Sequence, residues 1–236
     1  MTRFNTRGHL RLILFDIDGT LLNTNGIARN AFAEALDTVF GLRTIAREHD
    51  FAGKTDQQIY REILTATGID ADLIQRKQDD AMNLFFDLLE RRITNENVTV
   101  LPGIRELLEA LAEETVTTVG LLTGNMIRGA RIKLQPVKLD HHFTFGAFGG
   151  DALYRQDLPS IAIERAYHRT GYIFREKEVV IVGDTPHDVT CGRHLNVRTI
   201  AVATGNSSSE ELSQHRPDFL FDNLAETNMV MEAILE

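Results

Sequence analysis

The sequence predicts an α/β protein: a three-layer α/β/α core built on a parallel sheet, with an all-helical subdomain inserted near the N-terminus. Three observations lead there. Apolar runs alternate with segments of helical periodicity through most of the chain. Between residues 27 and 93 the strand signal fades and helical spacing takes over. Three of the apolar runs end on polar signatures: Asp16-x-Asp18, Thr123-Gly124-Asn125 and Gly183-Asp184-x-x-x-Asp188.

The first element is the run LILF, which leads into Asp16, with Asp18 and the turn signal Gly19-Thr20 following. A short apolar run bounded by a turn reads as a buried strand. Segments such as IARNAFAEALDTVF and DAMNLFFDLLERRI then carry apolar residues at helical spacing, with breaks at Gly41, at Phe51-Ala52-Gly53 and at Gly68. Strands are expected again at residues 116–122, 143–148, 179–182, 197–203 and, weakly, 219–221. Helices are expected at 104–113, 128–134, 160–169, 189–195 and 210–214. This divides the chain into a core of residues 1–23 and 98–236 and a helical insertion of residues 24–97. Hinges are expected near 24–26 and 95–98.

The bulk numbers narrow the function. A chain of 236 residues with 43% hydrophobic content can form one large core or a core carrying an insertion. A net charge of −9 argues against a general nucleic-acid binder, which would present a basic patch. It leaves room for a small anionic substrate, because one metal ion and a few local cations can dominate a site. The single cysteine, Cys191, excludes an intrachain disulfide and fits a reducing compartment. No apolar stretch suits a signal peptide or a membrane span, so a cytoplasmic protein without a membrane partner is expected, as a monomer or homodimer.

In open α/β sheets ligands bind beyond the carboxyl ends of the strands. Parallel strands bring the three polar signatures to one edge, although they lie far apart in the chain. Carboxylates crowded there repel one another unless a cation holds them, and a hard divalent ion with oxygen ligands is the natural partner. A carboxylate can attack a phosphoryl group and form an aspartyl phosphate. Both reactants are anionic, so the step needs charge neutralisation, which Mg²⁺ supplies. A second carboxyl group can protonate the leaving oxygen and then take a proton from the attacking water. A hydroxyl and backbone N–H groups after another strand, such as Thr123 and Gly124, suit the phosphoryl oxygens.

With these residues the chain resembles the haloacid dehalogenase-like superfamily of phosphohydrolases, in its phosphoglycolate-phosphatase-like branch, over nearly its whole length. DIDGT matches the first family motif, LLTGN the second and VVIVGDTPHD the fourth. The resemblance implies a Rossmann-like core, with Asp16 as nucleophile and Asp18 as general acid/base. It places Thr123 in the second motif, beside the substrate-binding positions Gly124 and Asn125. It also implies a magnesium site formed by Asp16, the backbone carbonyl of Asp18 and Asp184, supported by Asp188. The helical insertion is similar to the family's C1 cap, which closes over the site and chooses the substrate.

The third family motif is where the chain departs. The family's lysine is absent from Tyr154-Arg155-Gln156-Asp157-Leu158-Pro159. Arg155, a planar fork rather than a point charge, is taken as its replacement, with Lys133 as the rival. In the insertion, Gly53-Lys54-Thr55-Asp56 is not a phosphate-binding P-loop, which needs a glycine where Glu48 stands. Lys54 either reaches substrate from a cap loop or is solvated while Thr55 or Asp56 caps the next helix. Thr185, Pro186 and Asp188 have the spacing of a helix start, so Asp188 can serve as cap and metal support together. His141 and His142 are expected in solvent, His187 is a poor magnesium ligand, and Cys191 is expected buried and inert. Asn206 or Ser209 is expected to cap the helix that begins near Glu210.

The expected function is Mg²⁺-dependent hydrolysis of a small phosphorylated metabolite. The alternatives are phosphoryl transfer within a sugar phosphate, as in phosphoglucomutase-like relatives, and a non-catalytic phospho-ligand-binding protein. The absent lysine is the only feature that favours the last.

Overall fold

A computed structural model describes residues 10–42 and 49–236. The N-terminal segment considered above for targeting, and Glu48, lie outside the described residues. The central sheet has six strands, all parallel, in the order β5-β4-β1-β6-β7-β8. They are β1 (Arg11–Phe15), β4 (Thr117–Leu122), β5 (Gly146–Ala147), β6 (Val179–Gly183), β7 (Arg198–Val202) and β8 (Phe219–Phe221). Two further short strands, β2 (Leu22–Asn23) and β3 (Thr99–Val100), form a separate antiparallel pair.

β1 is buried along its whole length and explains the layering. Leu12 and Leu14 face one apolar cluster with Leu158, Ala162 and Ala166. Ile13 and Phe15 face the other, with Leu107, Leu111 and Ile234. A strand covered on both faces reads as an unbroken apolar run, which is why LILF has no alternation. Each such side chain contributes about 2 kcal/mol by leaving water.

The helices around the sheet are α4 (Ile104–Glu113), α5 (Ile127–Leu134), α6 (Leu158–Thr170), α7 (Pro186–Cys191), α8 (Ser209–Gln214) and α9 (Thr227–Leu235). Between β2 and β3 the described residues form α1 (Ile27–Phe40), α2 (Asp56–Ala66) and α3 (Ala71–Arg92). Phe32 of α1 meets Phe85 of α3 edge to face at 5.1 Å, and Phe51 at 5.5 Å. The apolar cluster under β1 continues into these helices through Phe32, Phe85 and Leu89. No helix of the described residues is long and apolar enough to cross a membrane.

The parallel α/β architecture matches the expectation, with local differences. The strand expected over 143–148 is only Gly146–Ala147, because the edge position needs little pairing. The helix expected over 189–195 starts at Pro186 and breaks at Gly192 into a 3-10 turn. Its capping box is present: Thr185 accepts from the Asp188 amide, and Asp188 accepts from the Thr185 amide at 3.0 Å. The cap of α8 is Ser208, not Asn206 or Ser209. β2, β3 and α9 were not expected: the two strands have two residues each, and α9 has no side-chain N-cap.

Candidate active site

The register of the sheet brings the three polar signatures together. Phe15 of β1 pairs with Leu121 of β4 and Val182 of β6, so Asp16, Thr123 and Asp184 leave the sheet at one edge. Side-chain oxygens of Asp16, Asp184 and Asp188 lie within 4.8 Å of one another, and all three residues are buried. Among the described residues this is the one cluster of its kind; His141 and His142 stack on each other at 4.0 Å elsewhere.

Each carboxylate is held differently. Thr20 donates to Asp184 Oδ1 at 3.0 Å, and a methyl group at Gly19 or Gly205 would overlap the Asp184 side chain. Asp188 Oδ2 accepts from the Thr185 hydroxyl at 2.6 Å, and Asp188 Oδ1 accepts from Arg155. The same guanidinium lies 3.2 Å from Asp16 Oδ1 and donates to the Leu122 carbonyl at 3.1 Å. Arg155 occupies the 3-10 turn that runs into α6, which buries it beneath the sheet edge.

Burial pushes the Asp16 carboxyl up to about 6; Asp188 and Asp18 add to the rise and Arg155 opposes it. Burial, then Asp188 and Asp16, raise Asp184 well above the usual range, against Thr20 and Arg155. Burial alone would lower the Arg155 pKa, but Asp16 and Asp188 outweigh it and the net shift is upward. One guanidinium therefore does not balance three close carboxylates. Buried, hard oxygen donors with excess negative charge fit a divalent cation such as Mg²⁺.

Asp18 keeps a side chain 41% exposed. Its Oδ2 accepts from Lys133 at 2.5 Å and from the Asn125 amide at 2.7 Å. Lys133 also donates to Asn125 Oδ1 at 2.6 Å. Both rivals for the absent lysine thus reach the site, Arg155 against Asp16 and Lys133 against Asp18. Thr123 is fully buried and its hydroxyl accepts from the Asn125 side chain at 2.9 Å.

A cavity of about 630 Å³ opens over these groups, lined below by Asp16, Asp18, Lys133 and Arg155 and above by Arg29, Phe32, Phe51 and Phe85. Lys54 also lines it, with its ammonium 2.7 Å from Glu62. Glu62 additionally meets His49 at 2.9 Å and Gln58 at 2.8 Å. Thr55 caps α2 by accepting from the Gln58 amide at 3.0 Å, so the capping role falls to Thr55 and Lys54 is paired rather than solvated. Cys191 is buried, and burial pushes its thiol up to about 12. His187 packs against Gly53, and burial followed by Arg155 lowers its pKa.

Gly19-Thr20 and Thr204-Gly205 read in sequence only as strand-ending turns, so the contacts of Thr20 and Gly205 with Asp184 were not foreseen, and Glu62 was not singled out. The Gly-Thr that closes the first motif is a signal that could have found Thr20. The crowding of Gly205 against Asp184 depends on tertiary contact and has no local signal.

A family model described as haloacid dehalogenase-like hydrolase matches residues 13–202. A protein named pyrophosphatase PpaX from Listeria monocytogenes is 26% identical over 221 residues, covering 93% of this chain and 95% of that protein. Two solved structures share the fold. One is a predicted phosphoglycolate phosphatase from Haemophilus somnus, with TM-score 0.71, 18% identity and coverage of 94% and 98% of the two chains. The other is a β-phosphoglucomutase from Clostridium difficile, with TM-score 0.73, 15% identity and coverage of 95% and 97%.

Proposed function

The chain belongs to the haloacid dehalogenase-like hydrolases, and we propose that it is a Mg²⁺-dependent phosphatase of a small phosphorylated metabolite, working through an aspartyl phosphate on Asp16. The observation that carries this reading is the meeting of Asp16, Asp184 and Asp188 at one sheet edge, with Asp18 at the cavity wall beside them. The relative named as a pyrophosphatase is consistent with phosphoryl chemistry.

Asp16 and Asp184, with the Asp18 backbone carbonyl, would hold the dication. Asp188, whose oxygens are engaged by Arg155 and Thr185, braces the site from behind. When bound, the ion offsets repulsion between the carboxylates and the phosphoryl group. Arg155 adds positive charge beside Asp16 and favours its ionised form.

The Asp16 carboxylate attacks phosphorus as the bond to the leaving oxygen breaks, and Asp18 gives that oxygen a proton. Water then attacks the phosphorus of the acyl phosphate. Asp18 accepts its proton, inorganic phosphate departs, and Asp16 is restored. Asn125 and Lys133 orient Asp18, while Thr123 fixes Asn125 from below. Gly124 and Asn125 line the phosphoryl side of the cavity.

We take residues 24–97 as the cap and its aromatic cluster as the wall that excludes water from the reacting atoms. Lys54, steadied by Glu62, supplies a cation on the leaving-group side. The absent motif lysine no longer favours a non-catalytic protein, because a guanidinium stands beside Asp16.

Phosphate release from a panel of phosphate esters, with Mg²⁺ and with a chelator, tests the proposal. Metal-dependent release from at least one ester is expected. Release from none, with metal present, would overturn it.

A further inference from the structure

The N-terminus of α2 is built into the core loops rather than resting on them. The Asp56 amide donates to the Gly124 carbonyl at 2.8 Å, and the Met126 amide donates back to Asp56 Oδ2 at 2.8 Å. The neighbours on both sides join in. The Thr55 hydroxyl donates to the Leu153 carbonyl at 2.5 Å, and Gln57 reaches the Gly150 carbonyl at 3.3 Å. A methyl group at Gly124 would overlap the Lys54 carbonyl, and one at Gly149 would overlap the Gly124 carbonyl. Three backbone segments therefore meet with no side chain between them.

An acidic residue in a first helical turn usually serves the helix dipole from the surface. Asp56 is buried instead, and burial pushes its carboxyl up to about 6 against the opposing effect of Lys133. Burying a carboxylate is costly unless hydrogen bonds offset it. The bond that Asp56 accepts here comes from Met126, the residue directly after Asn125. Asn125 is the residue whose amide grips Asp18, and its own carbonyl accepts from the Gly149 amide at 2.8 Å.

We propose that Asp56 is a positioning residue: its two hydrogen bonds to Gly124 and Met126 make seating of the inserted helices set the orientation of Asn125, and through it the proton-transfer carboxylate Asp18. The inference rests on the phosphatase reading for its consequence in catalysis, though not for the hydrogen-bond clasp itself. With α2 seated, the loop of residues 123–126 is locked and Asp18 is held at one oxygen. With α2 lifted, Met126 and Gly124 lose these two partners, and Asn125 keeps, apart from Asp18, only its bonds to Thr123, Lys133 and Gly149. Chemistry is thereby tied to a filled and covered cavity.

The test compares D56A, D56N and D56E in the full chain. Asn keeps an oxygen acceptor for the Met126 amide, whereas Glu keeps the charge and displaces it by one methylene. D56A and D56E should lower kcat on the order of tenfold to a hundredfold, the scale of a small misplacement of a reacting group, with KM nearly unchanged. Both should speed hydrogen exchange at the Met126 amide. D56N should restore most of kcat and the protection of that amide. The thermal midpoint separates this from general damage. Unchanged exchange at Met126 in D56E, a D56N variant as impaired as D56E, or kcat losses that merely follow a lowered midpoint would overturn the inference. If D56A does not fold, the D56N and D56E pair decides. A wild-type protein that releases no phosphate from any ester refutes the phosphatase reading, and the exchange measurement still decides the clasp.

Discussion

Arg155 reaches Asp16 across the edge of the sheet: a guanidinium nitrogen lies 3.2 Å from a carboxylate oxygen, and both side chains are buried. The same guanidinium binds Asp188, so one cation joins two carboxylates of the three-acid cluster, Asp16 being the proposed nucleophile. Removing it leaves two buried carboxylates without their partner, which costs about 3 kcal/mol of stability. R155A should lose that stability, seen in denaturant unfolding, and turnover on the order of a hundredfold. R155K should recover part of both, since an ammonium cannot serve Asp16, Asp188 and Leu122 together. K133M should affect turnover less than R155A, and an R155A variant of full activity would remove Arg155 from the mechanism.

Asp16→Asn keeps the volume of the side chain and removes its nucleophilic oxygen. Turnover should fall by at least about a thousandfold, with the thermal midpoint of the metal-free protein equal or higher, because a buried, repelled charge has gone. Beryllofluoride should label the wild-type protein at residue 16 and leave the variant unlabelled. Trapping on the variant would place the nucleophile elsewhere.

The pH dependence has a definite sign. Asp16 in the folded chain holds its proton up to about pH 6, above the ordinary carboxylate value of 3.8, and Asp184 shifts in the same direction. The folded state then binds more protons than the unfolded state between about pH 4 and 6, so this cluster's contribution to stability falls as pH rises through that window. A Mg²⁺ ion held by these carboxylates would compete with those protons. At 100-fold excess over its Kd the ion contributes about 2.7 kcal/mol, roughly 5 °C or more for a chain of this size. The Mg²⁺-induced rise in melting temperature should be larger at pH 7.5 than at pH 5. An equal rise at both would detach the ion from these carboxylates.

Gly205→Ala tests the cradle of Asp184. The added methyl overlaps the Asp184 carboxylate, so the side chain must move away from the other two acids. The Mg²⁺ concentration for half-maximal turnover should rise on the order of tenfold or more, while turnover at saturating metal recovers. A metal titration of phosphate release reads this directly.

The strand ends were legible because each combines an apolar run with an abrupt polar stop. DIDGT, LLTGN and VVIVGD mark their elements without any knowledge of the neighbours. The sheet edge that collects them follows from parallel order alone. Arg155 and Lys133 could not be separated in sequence, since each sits near a helix that packs beside the site; in space they serve different aspartates. Lys54 read as a cation facing substrate or solvent, and its pairing with Glu62 needs α2 to turn one full face toward the loop before it. Asp56 looked like an ordinary helix-start acid, because what buries it is a backbone loop far along the chain. Edge strand β5 was overestimated for a different reason: Phe143 and Phe148, on either side of it, pack against the core and lie outside the paired residues.

The chain leaves the sheet and comes back through a single doorway, where Leu22 and Asn23 lie antiparallel to Val100 and Thr99 and Asn25 bonds the carbonyl of Asn97 at 3.0 Å. An insertion whose two ends lie side by side imposes no separation on the strands of its host. A helical module of another shape could be spliced in at this doorway without moving the ends of β1, β4 and β6. Such a transplant would need its own counterpart of Asp56 to meet the Gly124 carbonyl and the Met126 amide, two partners that the host leaves waiting.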